Sequence, residues 1–418
     1  MIFNVIPDRK LVRMAGNSRR YALVNIQAPL APPKQGRTRL NLSFVLDRSG
    51  SMGGQKIVLV REAVKKALDM LRPEDRFSLV VYDDQIDVLV SSTSGAGEAK
   101  NNAEQLLRKV DARGTTDLGK GYLTGCEQVS AHLESDSLAR CLLLTDGLAN
   151  RGITDHDELV THVKELRKRG ITTSTFGVGS DFDEELLRRM ATEGGGNSYY
   201  IEKNVQIVDY LTSELGEALQ VVANDVTLDA VLPAGVRAEL LNDYPVSRNG
   251  DSLRVNIGEV ISGQELALVF ALDFPKGNAG EHIAVQFRLS DRDNALESAP
   301  ATVGWEFADH QANDNQPRNR MVDRIVAELS AARAKDEARS FNRQSRYKDA
   351  QLVIRKAVDD IKTYCGDDAV LLGIIGQLSH EENLFANPMS AFEMKAQCYS
   401  SYNLRQNRSI SGKAKQRS

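Results

Sequence analysis

Residues 41–53, NLSFVLDRSGSMG, join a short apolar run to a loop rich in hydroxyl groups and glycine. The apolar run predicts a buried strand, and the loop places Asp47, Ser49 and Ser51 at alternating positions, from which side chains point to the same side. Gly50 permits a tight turn between them. A hard divalent cation binds oxygen ligands of this kind, although one loop does not complete its coordination shell. The alternative is a polar turn whose hydroxyls cap the next helix.

Strand-like runs and amphipathic helices alternate through residues 38–220. In the first helix the apolar side chains recur three and four residues apart, at Val60, Ala63, Val64, Ala67, Leu68 and Leu71. The predicted elements that follow are strands at 77–82, 141–144 and 172–178, and helices near 159–169 and 207–220. This alternation predicts a doubly wound, mostly parallel α/β sheet of the Rossmann-like kind, in which ligands bind at the carboxyl ends of the strands.

Two further loops carry oxygen ligands at comparable places. Thr116 offers a hydroxyl within the sequence GTTD (residues 114–117), ahead of an apparent helix. Asp146 follows the strand at 141–144 and offers a second carboxylate. Because the carboxyl ends of parallel strands lie at one edge of a sheet, both loops are expected near the loop that contains Asp47.

With these three loops, residues 38–220 resemble a von Willebrand factor type A domain, and the loops resemble its metal-ion-dependent adhesion site. The pattern of that family, DxSxS followed by a loop Thr and then a loop Asp, is matched at all five positions. The resemblance implies that Mg²⁺, or Mn²⁺ or Ca²⁺ in its place, binds at Asp47, Ser49, Ser51, Thr116 and Asp146. Neutral hydroxyls would leave the ion electron-poor, with a coordination position that an acidic side chain of a partner protein can fill.

The resemblance also implies a function and a means of regulating it. It indicates a non-enzymatic protein-binding module of the bacterial or intracellular type. Such a module acts as an adaptor or scaffold in an intracellular complex, with an AAA+ or MoxR-type ATPase as a candidate partner. In the family the Thr-bearing loop moves together with the last helix, so Thr116 and the helix near 207–220 are the candidate switch.

Two other function classes stay open: a metal-dependent hydrolase or chelatase-type enzyme subunit, and a secreted or surface adhesion protein. A serine nucleophile at Ser49 or Ser51 would require a histidine as its base. No histidine is predicted at a strand end near these loops; the six are His132, His156, His162, His282, His310 and His380. Nucleotide binding is disfavoured, because the glycines at 119–121 and 177–179 lack the strand–turn–helix pattern of phosphate loops.

The sequence pattern changes after Val221. Short extended runs separated by Gly, Asn, Asp and Pro predict an antiparallel sandwich, and they lie at 226–232, 253–257, 266–272, 283–289 and 302–307. A similar run at 21–26 is expected to pair with them, so that the α/β unit is inserted into the sandwich. A C-terminal helical extension follows. The predicted domains are an N-terminal strand segment (1–37), the type A domain (38–220), the β-sandwich (221–310), a helical region (316–382) and a flexible basic tail (383–418).

Composition limits the partners and the compartment. The 418 residues include 53 basic and 57 acidic side chains, a formal net charge of −4, so no overall field attracts nucleic acid. The cysteines, Cys126, Cys141, Cys365 and Cys398, form no CxxC pair, which argues against a zinc site or a disulfide scaffold and fits a reducing compartment. No apolar run reaches the roughly 18 residues of a membrane helix, and charges replace the apolar block of a signal peptide. We therefore expect a cytoplasmic protein without membrane insertion.

Overall fold

The computed structural model describes residues 1–16, 18–30, 38–135, 137–203, 205–296 and 298–416. Residues 31–37, where the sequence predicts the end of the N-terminal segment, and Arg417 of the basic tail lie outside this part of the chain. The chain divides into two compact units. One combines Met1–Ala31 with Val222–Ser418, and the other is the continuous stretch Pro32–Val221.

Three strands precede the continuous unit: β1 (Ile2–Pro7), β2 (Leu11–Arg13) and β3 (Ser18–Gln27). The continuous unit then alternates strands with helices. Its strands are β4 (Arg39–Asp47), β5 (Arg76–Tyr82), β6 (Ile86–Ser94), β7 (Ser137–Thr145), β8 (Ile171–Val178) and β9 (Gly195–Ile201). Its helices are α1 (Gln55–Asp69), α2 (Gly97–Leu107), α3 (Leu118–Ser130), α4 (His156–Lys168), α5 (Glu184–Gly194) and α6 (Gln206–Ala218).

The strands of the continuous unit form one sheet in the order β6-β5-β4-β7-β8-β9. Neighbouring strands run parallel except β5 and β6, which a short turn joins and which therefore pair antiparallel at the edge. Asp47 pairs with Tyr82, and Leu46 pairs with Leu144. The carboxyl ends of β4, β5 and β7 consequently lie side by side at one edge of the sheet.

Helix α3 lies close against the sheet because two of its residues have no side chain. A Cβ at Gly121 would be 2.5 Å from Cγ of Tyr82, and a Cβ at Gly125 would be 2.2 Å from Cγ2 of Val45. These two glycines, about one helical turn apart, set the separation between α3 and the strands β4 and β5. The central strands β4 and β7 are buried along nearly their whole length, as expected of strands covered on both faces.

Seven strands and five helices follow the continuous unit in the described part of the chain. The strands are β10 (Val221–Val231), β11 (Arg237–Leu240), β12 (Val246–Asn249), β13 (Ser252–Ile261), β14 (Glu265–Phe274), β15 (His282–Ser290) and β16 (Ala301–Ala308). The helices are α7 (His310–Asn315), α8 (Arg320–Arg343), α9 (Tyr347–Cys365), α10 (Ala369–Phe385) and α11 (Ala391–Arg405).

Two sheets of the discontinuous unit, ordered β1-β3-β14-β11 and β12-β13-β10-β15-β16-β2, share one apolar core. Strand β3 pairs antiparallel with β14 along its whole length, from Ser18 opposite Phe274 to Gln27 opposite Glu265. The N-terminal strands therefore complete a sandwich whose other strands come after residue 220. The predicted fold class, a doubly wound α/β sheet inserted in a β-sandwich and followed by helices, is confirmed.

Helices α8, α9 and α10 form the helical extension. Val322, Val326 and Leu329 of α8 pack with Leu23 and Val269 of the sheet that contains β3. A second apolar cluster joins α8 to α9 and α10. Across the described ranges, none of the helices combines the length and the apolar character needed to span a bilayer.

The C-terminal segment differs from its prediction. The polar composition after residue 383 predicts a flexible tail, whereas α11 lies in this stretch. The helix begins with a capping box between Ser390 and Glu393, and it buries Cys398, Tyr399 and Tyr402. Because charged and polar residues make up much of α11, the composition of this segment does not indicate the helix.

Candidate metal centre

The candidate centre lies where the two central strands of the continuous sheet end. Asp47 is the last residue of β4, and Asp146 directly follows Thr145, the last residue of β7. Since β4 and β7 pair in parallel up to Leu46 and Leu144, these two carboxyl ends are neighbours. The strand alternation of the sequence predicts this proximity.

Asp47 is fully buried and is held by two donors. The backbone N–H of Ser49 donates to Oδ1 at 2.7 Å, and the hydroxyl of Thr145 donates to Oδ2 at 2.6 Å. Burial raises the pKa of Asp47 to about 6, although these hydrogen bonds oppose the increase. The carboxylate is thus oriented by the protein and is poorly solvated.

The two serines of the loop connect Asp47 to Asp146. The hydroxyl oxygens of Ser49 and Ser51 lie 3.1 Å apart, and the Ser51 hydroxyl donates to Oδ1 of Asp146 at 2.7 Å. The other oxygen of Asp146 forms an ion pair with the ammonium group of Lys56. The structure therefore brings four of the predicted ligands, Asp47, Ser49, Ser51 and Asp146, into one hydrogen-bonded cluster.

Thr116 reaches the same space from the loop that precedes α3. Its side chain is almost fully buried, and its backbone N–H donates to Oδ1 of Asn150 at 3.1 Å. A Cβ placed on Gly147 would lie 3.2 Å from Oγ1 of Thr116 and 3.7 Å from Oδ2 of Asp47. Glycine at position 147 therefore keeps open a space that both oxygens border.

The chemistry of this donor set fits a hard divalent cation. It consists of two carboxylates and three hydroxyls, the kind of oxygen ligands that Mg²⁺ and Ca²⁺ prefer. The two carboxylates are buried next to one another, which is unfavourable unless positive charge compensates them. As far as the structure describes the chain, no group of three or more His, Cys, Asp and Glu side chains is placed to hold a metal ion.

A network of charged residues ties the surrounding loops together. The carboxylate of Asp83 accepts hydrogen bonds from the guanidinium groups of Arg48, at 3.2 Å, and Arg113, at 2.7 Å. The backbone N–H of Arg113 donates to the carbonyl of Arg48, and that of Asp117 donates to the carbonyl of Asp83. Burial opposes ionisation of Asp83, but these arginines and the backbone N–H of Gln85 lower its pKa. The loops that carry Ser49 and Thr116 are thereby fixed to each other.

Three functional neighbours were not predicted from the sequence. Thr145 orients Asp47, Lys56 neutralises part of the charge of Asp146, and Asn150 fixes the backbone of Thr116. Thr145 has a local signal, because it precedes Asp146 at the end of a predicted strand. Lys56 and Asn150 have none, because their contacts depend on how the loops fold together.

The structure places the residues of the alternative sites elsewhere. His156, at the start of α4, pairs with Asp183 at 3.1 Å. Among the residues in the described ranges, no histidine is hydrogen-bonded to Ser49 or Ser51. The glycines at 119–121 lie inside α3, and Gly177 lies inside β8. These positions do not form the phosphate-binding loops that lead from a strand into a helix.

Comparison with known proteins supports the fold of the continuous unit. Residues 41–214 match the family model described as "von Willebrand factor type A domain". A solved structure of a von Willebrand factor type A protein from Catenulispora acidiphila superposes with a TM-score of 0.70 at 16% identity, covering 91% of this chain and 88% of that one. The ArnB paralog VWA2 from Sulfolobus acidocaldarius gives a TM-score of 0.58 at 15% identity, covering 96% and 97%. At these identities the similarity concerns the fold alone.

Three relatives are more similar in sequence. The Escherichia coli protein named "Uncharacterized protein YfbK" is 30% identical over 279 residues, 64% of this chain and 48% of that protein. The Synechocystis protein sll0103, also named uncharacterized, is 26% identical over 302 residues, 69% of this chain and 70% of that protein. Inter-alpha-trypsin inhibitor heavy chain H1 from Mesocricetus auratus is 30% identical over 204 residues, 47% of this chain and 22% of that protein. The chain thus spans about half the length of the E. coli relative.

Proposed function

Since residues 41–214 of this chain form a von Willebrand factor type A domain, a domain that typically mediates protein–protein interaction, we propose that the chain binds a partner protein through a divalent cation. The proposed ligands of the cation are Asp47, Ser49, Ser51, Thr116 and Asp146. Mg²⁺ is the expected ion, with Mn²⁺ or Ca²⁺ as alternatives. The chain would act without catalysis of its own.

One observation carries this proposal: the space beside Gly147 is bordered by oxygens of Thr116 and Asp47 and adjoins the cluster of Ser49, Ser51 and Asp146. A bound cation would supply Lewis-acid coordination to an outside oxygen ligand. Because three of the five protein ligands are neutral hydroxyls, they neutralise little of its charge. A carboxylate of the partner is therefore the favoured last ligand.

The side chains around the centre suggest what else the partner presents. Leu148, next to Gly147, is 52% exposed although it is a large apolar residue. Arg151 is 57% exposed and contacts Asp84 at 3.3 Å, and Arg113 is also exposed. An exposed apolar side chain beside arginines fits a segment in which an apolar residue accompanies the acidic one. We propose this combination as the partner motif.

Binding of Mg²⁺ by the whole protein is the first test. We expect isothermal titration calorimetry to give one site in the wild type, and a loss of affinity of roughly tenfold or more in Asp47→Asn and in the double variant Ser49→Ala, Ser51→Ala. A matched control exists in Ser409 and Ser411, whose exposed hydroxyls lie 2.9 Å apart at the same spacing. Replacing both by alanine should leave the affinity unchanged. A wild type that binds none of Mg²⁺, Mn²⁺ and Ca²⁺ would refute the proposal.

Partner capture is the second part of the test. Within the proposal, the chain is an adaptor of an intracellular, cytoplasmic complex, and an AAA+ or MoxR-type ATPase is the candidate partner class. A protein retained in Mg²⁺, released by EDTA and not retained by Asp47→Asn would have the expected behaviour. Turnover of a small substrate that disappears in Asp47→Asn would favour an enzyme instead, and cell fractionation into an extracellular pool would favour an adhesion protein.

A further inference from the structure

A cleft of about 430 Å³ lies in the discontinuous unit, between the sheet β1-β3-β14-β11 and the helices α8 and α11. Its volume is within the range of small-molecule binding sites. All five proposed ligands of the cation belong to the continuous unit. A ligand of this cleft would therefore bind at a second site, which does not require the metal centre.

The cleft forms where one face of the sheet changes from apolar to smaller or polar side chains. Leu23 of β3 and Val269 of β14 pair with each other, and both pack against α8. Two residues further along β3, on the same face, Asn25 pairs with Asn4 of β1 on one side and with Ala267 of β14 on the other. These side chains leave space between the sheet and the helices.

The helical wall of the cleft combines apolar side chains with one carboxylate. Ile325 and Leu329 of α8 and Leu404 of α11 supply the apolar part. Glu328, three residues after Ile325 and on the same side of α8, also lines the cleft. Its side chain is half-buried, and it has neither a hydrogen bond nor an ion pair with any residue of the described ranges.

Glu328 differs in this respect from the other acidic residues of α8 that are shielded from solvent. Asp323 pairs with the guanidinium of Arg318 at 2.6 Å. Asp336 pairs with that of Arg405 at 2.8 Å. A shielded carboxylate without a partner is unfavourable, and hydrogen bonds between ionised groups are among the strongest in proteins. A cationic group in the cleft would therefore be stabilised by Glu328.

The remaining polar groups of the cleft favour a cation as well. The side chains of Asn4 and Asn25 line it, and neither has a hydrogen-bond partner in the stretches of chain that the structure describes. Their carbonyl oxygens are acceptors, and an ammonium group has three donors to share between them and Glu328. Glu265 and Glu328 contribute two negative charges to the lining, and Lys415 contributes one positive charge. The lining is therefore net negative.

We propose that this cleft binds a small organic cation, an aliphatic primary amine. Its ammonium group pairs with the carboxylate of Glu328, and its hydrocarbon chain lies against Ile325, Leu329 and Leu404. The apolar wall and the charge both contribute to binding, so neither an uncharged chain nor a small hydrophilic ammonium ion is the preferred ligand. This inference goes beyond the proposed function and does not depend on it.

The test titrates the full-length protein with n-hexylamine and with n-hexanol, an uncharged probe of the same chain length. Saturation-transfer NMR measures the affinity for each probe, in EDTA and in Mg²⁺. We expect saturable binding of hexylamine that is the same in both conditions, and roughly tenfold or weaker binding of hexanol. Glu328→Gln should weaken the binding of hexylamine by roughly tenfold or more and leave that of hexanol unchanged, because it removes the charge and keeps the shape of the side chain.

Two further variants locate the binding. Glu337→Gln is the matched control, because Glu337 is an exposed glutamate of the same helix that does not line this cleft; it should bind hexylamine as the wild type does. Ala267→Leu should abolish the binding of both probes, since the larger side chain fills the cleft and Glu328 is retained. Melting temperatures show whether each variant is folded.

Three results would overturn the inference. Hexylamine could fail to bind saturably to the wild type, it could bind no more tightly than hexanol, or it could bind Glu328→Gln as tightly as the wild type. A protein that binds Mg²⁺ and gives one of these results would retain the proposed function and lose only this second site.

Discussion

Glu214 of α6 is a fully buried carboxylate with four hydrogen-bond partners on three strands. The guanidinium of Arg140 forms an ion pair with it, and the hydroxyls of Ser174 and Tyr199 donate at 2.5 and 2.6 Å. The side-chain amide of Asn197 donates at 2.8 Å. Burial opposes the ionisation of Glu214, but Arg140 and these donors outweigh it and lower its pKa. The charge is therefore retained in the interior.

Glu214→Gln should destabilise the continuous unit by about 3 to 5 kcal/mol at pH 7, because it leaves Arg140 buried without its counter-charge. The pKa of Glu214 is lower in the folded state than its ordinary value of about 4.3. The ionised Glu214 therefore makes its full contribution to the free energy of unfolding when the pH is above this ordinary pKa. The contribution is lost as the pH falls through the pKa of the folded state. The stability difference from the wild type should narrow below about pH 4.

Native-state hydrogen exchange of peptides from β7 and β8 measures this difference across the pH range. Glu202→Gln is the control, since Glu202 is an exposed acidic residue shortly before the same helix. It should have little effect at any pH. A difference for Glu214→Gln that stays constant down to pH 3 would contradict the assignment of its charge.

The residues of the continuous unit differ in how far the sequence reveals their roles. Asp47, Ser49 and Ser51 follow one another at alternating positions, so a local pattern identifies them. Glu214 and Arg140 lie 74 residues apart and meet because the fold brings them together. Tyr82 resembles any aromatic residue of a buried strand, and its place beside Asp47 is visible only in the structure.

At the scale of elements, the contact of α3 with the sheet depends on Gly125. Gly125→Ala would place a methyl group against Val45 and should destabilise the continuous unit by about 1 to 3 kcal/mol. Gly216 of α6 is the matched control, because a Cβ there meets no atom within 4 Å. Gly216→Ala should stabilise the unit by about 1 kcal/mol, since alanine has the higher helix propensity. Thermal unfolding measures both, and equal effects would contradict this packing.

The strength of periodic signals explains which elements the sequence predicts. The strands β4, β5, β7 and β8 are apolar runs of a parallel sheet, and the helices between them have regular apolar faces, so both types are recognisable. Strand β6 lies at the edge of the sheet, is mostly half-buried and was not predicted. Strand β9 begins with two glycines directly after α5 and was not predicted either. Glycine-rich starts and exposed edges weaken the strand signal.

At the scale of the whole molecule, the sequence predicts the insertion but not the order of the strands. The apolar run at 21–26 before a breaker indicates that an early strand belongs with the later ones. Its pairing with β14, rather than with β10 or β16, depends on contacts some 240 residues apart in the chain and has no local signal. Which strands pair at such distances along the chain depends on how the side chains of the apolar core pack together.

The insertion predicts that the continuous unit folds on its own. A fragment comprising Pro32–Val221 contains its own sheet and all five proposed ligands. We expect this fragment to unfold cooperatively on heating and to bind Mg²⁺ with the affinity of the full chain. Circular dichroism and titration calorimetry measure the two properties. A fragment that is unfolded, or that binds Mg²⁺ more weakly by tenfold, would show that the remaining chain is needed.

In the switch that the family resemblance implies, α6 would move, and its anchoring through Glu214 would limit which molecules act as effectors. Sliding α6 along the sheet would separate Glu214 from Arg140 and from its three other donors at once. A second position of the helix would therefore be a discrete state, with no stable positions in between. An effector can shift such an equilibrium only by the difference between its affinities for the two arrangements. To change the populations of the two helix positions from 1:99 to 99:1, an effector must bind the favoured position more tightly by about 5.5 kcal/mol. A molecule that binds both helix positions equally well would occupy its site without changing their populations.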